Sequence, residues 1–129
     1  MMQPVNLELI IADDSALMRD RLTFMLAEIP GISIVAKAIN VEDTVRKINQ
    51  HHPDILILDL RLLGGSGIDV LKRIKHNPDR PKVMVFTNYP YPQYQQAALE
   101  AGADYFFNKS TEFEQLFETI QELCASNNL

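Results

Sequence analysis

The chain has 129 residues, 47% of them hydrophobic, and a net charge of −5. That length suits one domain, and the apolar content excludes a disordered chain. The acidic balance argues against a nucleic-acid surface, which needs clustered Lys and Arg, and the single cysteine, Cys124, leaves no internal disulfide and fits a reducing compartment.

The opening residues, MMQPVNLE, lack the basic start and apolar stretch of a signal peptide, and no apolar run reaches membrane-spanning length. A soluble, cytoplasmic single domain over 1–129, with its core at about 6–125, is expected. Leu7–Ala12 (LELIIA) reads as a first strand, because it is apolar and too short for a helix. Asp13 and Asp14 follow it. SALMRDRLTFMLAEI then places Leu17, Leu22, Met25, Leu26 and Ile29 near one helical face, and Pro30-Gly31 ends the helix. Ile32–Ala38 reads as a second strand with no comparable polar group after it, and VEDTVRKINQ as a second helix.

Asp54–Asp59 (DILILD) is an apolar third strand ending in a carboxylate, Asp59. Gly64, Gly65 and Gly67 read as turn residues before a helix over IDVLKRIKH; they match neither a P-loop nor a dinucleotide fingerprint. Lys82–Phe86 is a fourth strand, followed by Thr87 and Asn88. Tyr89, Tyr91 and Tyr94 with Pro90 and Pro92 make a stiff loop, either a partner-binding surface or a connector, into the helix YQQAALEAG, with Gly102 as its C-cap glycine. Tyr105–Asn108 is a fifth strand ending at Lys109, and Ser110 or Thr111 is a suitable N-cap for the last helix, EFEQLFETIQELC. His51, His52 and His76 fall near helix ends, are expected to be exposed, and lack metal-ligand spacing.

Five βα units with continuous apolar strands imply a parallel sheet covered on both faces. In an open sheet of this kind, ligands bind at the carboxyl ends of the strands where strand order reverses. The flavodoxin-like order 2-1-3-4-5 would gather Asp13, Asp14, Asp59, Thr87 and Lys109 at one edge. Three crowded carboxylates repel, and Mg²⁺ (or Mn²⁺), a hard cation with oxygen ligands, removes that conflict. Lys109 adds an ammonium and Thr87 a hydroxyl. Such a cradle suits a phosphoryl group, which asks mainly for positioning and charge neutralisation, and Asp59 can attack phosphorus to form an aspartyl phosphate. Each residue alone has a plainer reading: Asp13-Asp14 as a cap and a solvated charge, Asp59 as a strand terminator, Thr87 as a strand residue, Lys109 as a surface lysine.

Taken together, IADDSALMRDRL, ILILDLRLLGGSGIDVL, VMVFTN and AGADYFFNKS resemble, in this order, the receiver domain of two-component response regulators of the chemotaxis-regulator-like kind. The resemblance spans nearly the whole chain. It implies a flavodoxin-like (βα)5 sandwich of order 2-1-3-4-5, with Asp59 as phosphoacceptor. It also implies Mg²⁺ held by Asp14, by Asp13 largely through water, by Asp59 and by the Arg61 carbonyl. Thr87 and Lys109 would meet the phosphoryl group, and Phe106 would be an aromatic rotamer switch. Gly67 matches the glycine after the phosphoacceptor loop. Ser110 stands where the family often has proline after a commonly cis peptide, Leu63 where many members have proline, and Asn88 where a small residue is common.

The implied function is a phosphorylation-controlled signalling domain, not an enzyme in its own right. It would take phosphate from a histidine kinase or histidine phosphotransfer protein and change its helix 4–strand 5–helix 5 surface, with homodimerisation on phosphorylation as one output. Arg61 and Asn88 are expected to tune phosphoryl lifetime. The alternatives are the receiver half of a DNA-binding regulator, a scaffold receiver that takes no phosphate, and a haloacid-dehalogenase-like phosphatase. The last needs an acid where this chain has Arg61.

Overall fold

The computed structural model describes residues 6–126. Five strands form one parallel sheet: β1 (Leu7–Ala12), β2 (Ile32–Ala38), β3 (Ile55–Leu58), β4 (Lys82–Thr87) and β5 (Tyr105–Asn108). Their spatial order is β2-β1-β3-β4-β5. Helices α1 (Ala16–Leu26), α2 (Val41–His51), α3 (Gly67–Ile74), α4 (Pro92–Glu100) and α5 (Phe113–Ser126) alternate with them. This is the expected flavodoxin-like (βα)5 fold. The opening residues 1–5 and the tail 127–129 of the expected domain lie outside the described residues.

The two-residue period of the strands divides the core in two. In β3, Leu56 and Leu58 pack with Val45 and Ile48 of α2 and Val70 and Ile74 of α3. Ile55 and Ile57 face the other way, toward Leu22 and Leu26 of α1 and Leu116 and Ile120 of α5. All four β3 side chains are buried. At about 1.5–3 kcal/mol for each buried Ile or Leu, this strand fixes the centre of the sheet. No helix among the described residues is long and apolar enough to cross a membrane.

Helix starts follow local chemistry. Ser15 Oγ accepts from the Met18 N–H at 3.2 Å, and Asn40 Oδ1 from the Asp43 N–H at 2.7 Å. Ser66 and Asp69 form a capping box at α3, while α4 opens on Pro92. Gly102, at φ +112°, closes α4 as expected.

Several expectations need correction. Leu17 is 80% exposed. Five residues of α-helix separate it from Leu22, which turns it roughly 140° away from the Leu22–Leu26 face. Helix α1 ends at Leu26, and Ile29 is buried beyond it, before Pro30-Gly31. Neither Ser110 nor Thr111 caps α5. The loop closes instead through Glu112, whose carboxylate accepts from the Asn108 N–H at 3.0 Å. His51 is half-buried rather than exposed. The glycine turn contains a small antiparallel hairpin, Arg61–Leu62 with Gly65–Ser66. No cis peptide bond occurs among the described residues, so Lys109–Ser110 is trans.

Candidate functional site

The sheet order brings the ends of β1, β3, β4 and β5 to one edge. The backbone joins them there: the Asp59 N–H donates to the Ala12 carbonyl at 2.9 Å and the Lys109 N–H to the Thr87 carbonyl at 2.9 Å. Asp13, immediately after β1, is 2% exposed and Asp59, immediately after β3, is 6% exposed. Lys109, after β5, reaches both acids. Its Nζ lies 2.6 Å from Asp13 Oδ2 and 3.0 Å from Asp59 Oδ2.

Asp13 is held on every side. Its N–H donates to the Ala38 carbonyl at 3.0 Å. Its Oδ1 accepts from the Ser15 N–H at 2.9 Å, and its carbonyl accepts from Arg19 Nη1 at 2.8 Å. Asp14 is exposed. One carboxylate oxygen from each of Asp13, Asp14 and Asp59 lies within 4.8 Å of the others.

Burial pushes the Asp59 carboxyl above the ordinary carboxylate value; Lys109 pulls it back, and Asp13 and Arg61 contribute smaller opposing effects. Burial also works against the charged Lys109, but the pull of Asp13 and Asp59 is larger and raises its pKa above the usual lysine value. Two buried carboxylates therefore share one ammonium, with the exposed Asp14 beside them.

Asp59 Oδ1 is buried and has no hydrogen-bond partner. An orphaned carboxylate oxygen inside an acidic triad is the feature a hard divalent cation satisfies, so these residues fit Mg²⁺ or Mn²⁺. Asp13, Asp14 and Asp59 are the side chains that would hold it.

Thr87 ends β4 and is fully buried. Its Oγ1 accepts from the Tyr89 N–H at 3.1 Å. Phe106 pairs with Val85 across the sheet and packs, half-buried, on the α2–α3–α4 side, whereas Phe107 faces the α1–α5 side. Asn88 is exposed, 3.5 Å from the Ser110 hydroxyl. Arg61 points its side chain at Tyr89: its guanidinium hydrogen-bonds the Tyr89 hydroxyl and lies 5.5 Å from the ring centre. A cavity of about 420 Å³ opens beside this pair, lined also by Leu60, Ile68 and Tyr94.

Gly67 supports the site from below. A Cβ there would stand 2.4 Å from the Asp59 carbonyl oxygen, and the Gly67 N–H donates to the Leu60 carbonyl at 2.8 Å. Its role is close approach to the backbone rather than a left-handed turn. Sequence reading missed two contacts, Arg19 with Asp13 and Arg61 with Tyr89. Arg19 had a signal, since it lies one turn into α1 within reach of the acidic loop. Arg61 and Tyr89 are 28 residues apart, and nothing local joins them.

The response regulator receiver domain family matches residues 9–121. An uncharacterized response regulatory protein of Vibrio cholerae is 34% identical over 122 residues, covering 92% of this chain and 46% of that protein. The crystal structure of a LuxR-family two-component response regulator from an Aurantimonas species is 26% identical with a TM-score of 0.85, covering 94% of this chain and 86% of that one. A LuxR-family DNA-binding response regulator from Staphylococcus aureus is 28% identical with a TM-score of 0.83, covering 92% and 98% of the two chains. The chain spans about half the length of most of the curated relatives it matches.

Proposed function

The chain belongs to the response regulator receiver domain family, and from that premise we propose that Asp59 is its phosphoacceptor. The supporting observation is the bridge of Lys109 between Asp13 and Asp59, beside an Asp59 oxygen that has no partner. Receiver domains take phosphate from histidine kinases or phosphotransfer proteins. In this reading an Asp59 oxygen forms a bond to phosphorus as the phosphorus–nitrogen bond of a partner phosphohistidine breaks, and the electron pair returns to the imidazole nitrogen. Bound at Asp13, Asp14, Asp59 and the Arg61 carbonyl, Mg²⁺ would supply neutralisation of the charge on the transferring oxygens.

The protein's own groups do the rest. Lys109 pairs with a phosphoryl oxygen, which relieves its double engagement with the two acids. Thr87 keeps its acceptor bond from Tyr89 and has a hydroxyl hydrogen to donate. Inward movement of Thr87 would open room beside Val85 for Phe106 to turn. The surface of α4, β5 and α5 would then change its partner preference, as a bias between two packings. Homodimerisation is one such output, and control of a DNA-binding segment in a longer protein is another. The similarity to LuxR-family regulators favours the latter.

The test is incubation with Mg²⁺ and acetyl phosphate, read by intact mass. The wild-type chain gains one phosphoryl group and Asp59→Asn does not. An unmodified wild type, or equal modification of Asp59→Asn, would sink the reading.

A further inference from the structure

We infer that Arg19 is a positioning residue for the divalent cation, acting on Asp14 through the peptide that joins Asp13 to Asp14. The inference rests on the cation reading above. Arg19 Nη1 donates at 2.8 Å to the Asp13 carbonyl, which is the oxygen of that peptide. The other polar groups of Asp13 are already engaged: its N–H with Ala38, Oδ1 with Ser15 and Oδ2 with Lys109. These contacts fix Asp13 itself. The Oδ1–Ser15 bond also spans the Asp13–Asp14 peptide, but it does not engage that peptide's own oxygen, and a tilt of the peptide plane swings the exposed carboxylate of Asp14 toward or away from Asp59. The guanidinium of Arg19 is the side-chain donor that holds that plane.

Arg19 is well placed for this. Its own N–H donates to the Ser15 carbonyl at 3.0 Å, so its backbone belongs to the first turns of α1. Its carbonyl accepts from the Thr23 hydroxyl at 2.7 Å. A rigid helix therefore carries the guanidinium back over the loop. A charged donor to a carbonyl is stronger than a neutral one, and residues that orient metal ligands typically change affinity by about 10–100-fold when removed.

Positioning and simple electrostatics predict opposite signs. Arg19 brings a positive charge to an acidic site, so its charge alone opposes a second cation; deleting it would tighten metal binding. If Arg19 positions Asp14, deleting it weakens binding.

The experiment is calorimetric titration of the full chain with Mn²⁺, alongside melting in EDTA. Arg19→Ala should bind Mn²⁺ about tenfold or more weakly than wild type. Arg19→Lys, which keeps the charge but not the fork, should fall between the two. Arg21→Ala removes the same charge from the same helix, where the guanidinium lies 4.5 Å from the Phe113 ring centre, and should bind as wild type does or slightly more tightly. Arg19→Ala binding as tightly as wild type overturns the inference. Should Arg19→Ala not fold, Arg19→Met, which keeps the stem and removes the donor, decides, and wild-type affinity in that variant overturns the inference equally. A wild type that binds no Mn²⁺ overturns the cation reading, and this inference with it.

Discussion

Arg61 occupies the position two residues after Asp59, and its side chain is committed to Tyr89 rather than to an acid. Tyr89 in turn lies two residues after Thr87, and its N–H is bound to the Thr87 hydroxyl. Two residues with proposed roles on the phosphoryl group therefore each have a neighbour in one stacked, hydrogen-bonded pair. A cation over an aromatic ring contributes about 0.5–1 kcal/mol at an exposed site, enough to favour one arrangement of the two side chains. We propose that such a pair limits which angles are open to a water that attacks a phosphoryl group on Asp59. Breaking it from either side should have the same consequence. We expect Arg61→Ala and Tyr89→Ala to change the dephosphorylation rate several-fold in the same direction, and the double variant to resemble either single one. Loss of radiolabel or of phosphoryl mass with time measures this. Additive effects on the logarithm of the rate would show that the two residues act independently. Asn88, the other residue expected to tune the lifetime, lies apart from this pair at 3.5 Å from the Ser110 hydroxyl, so the effect of Asn88→Ala on the rate should add to that of Arg61→Ala.

At the scale of elements, α3 is held against the loop that carries Asp59. Gly67 is its first residue, and the capping box of Ser66 and Asp69 closes its start. Adding one methyl group at position 67 would drive a carbon to 2.4 Å from the Asp59 carbonyl oxygen. Backbone cannot yield as a flexible side chain can, so the start of α3 or the Asp59 loop must move. Overpacking of this kind costs about 1–3 kcal/mol, and the gain in helix propensity from Gly to Ala, at most about 1 kcal/mol, offsets only part of it. Gly67→Ala should melt several degrees lower than wild type and accept phosphate more slowly from acetyl phosphate; an unchanged melting point and rate would refute this. The elements themselves were legible because their signals are local. Uninterrupted Ile, Leu and Val runs marked buried parallel strands, and Asp13, Asp59, Thr87 and Lys109 stood at strand ends. The misread features depended on geometry at longer range. Leu17 looked apolar enough for the core, but the turn angle of α1 leaves it in solvent. The α5 start looked like a Ser or Thr cap, but Glu112 reaching back to Asn108 closes it. Gly67 read as a turn residue, whereas its role is set by an oxygen eight residues earlier in the chain.

Across the whole molecule, Lys109 joins β5 to β1 and β3 through charge as well as through the sheet. Its side chain is 5% exposed, and the two carboxylates it meets are 3% and 7% exposed. Removing it strands two acids in a site of low polarity, and breaking a buried ion pair from one side costs about 3–5 kcal/mol. The pH dependence follows from the shifts. Lys109 has a raised pKa in the fold, so its contribution is fully present below the ordinary lysine value and is lost as pH climbs through the raised one. Asp59 also has a raised pKa, chiefly from burial, so its charged form weighs against the fold at neutral pH; acid relieves that burden as the carboxyl protonates. The deficit of Lys109→Ala relative to wild type should therefore be widest around neutrality. It should shrink as pH falls through the raised Asp59 value, beginning above the ordinary carboxylate range of about pH 4, and again as pH climbs beyond the ordinary lysine value of about 10.4. A divalent cation offers the same acids another positive charge. Millimolar Mg²⁺ should then raise the melting temperature of Lys109→Ala by more than it raises that of wild type, and adding Asp14→Ala should abolish the difference. Denaturant melts across pH, with EDTA or Mg²⁺, measure all of this. A Lys109→Ala protein as stable as wild type at neutral pH in EDTA would show that the ammonium does not hold the three strand ends together.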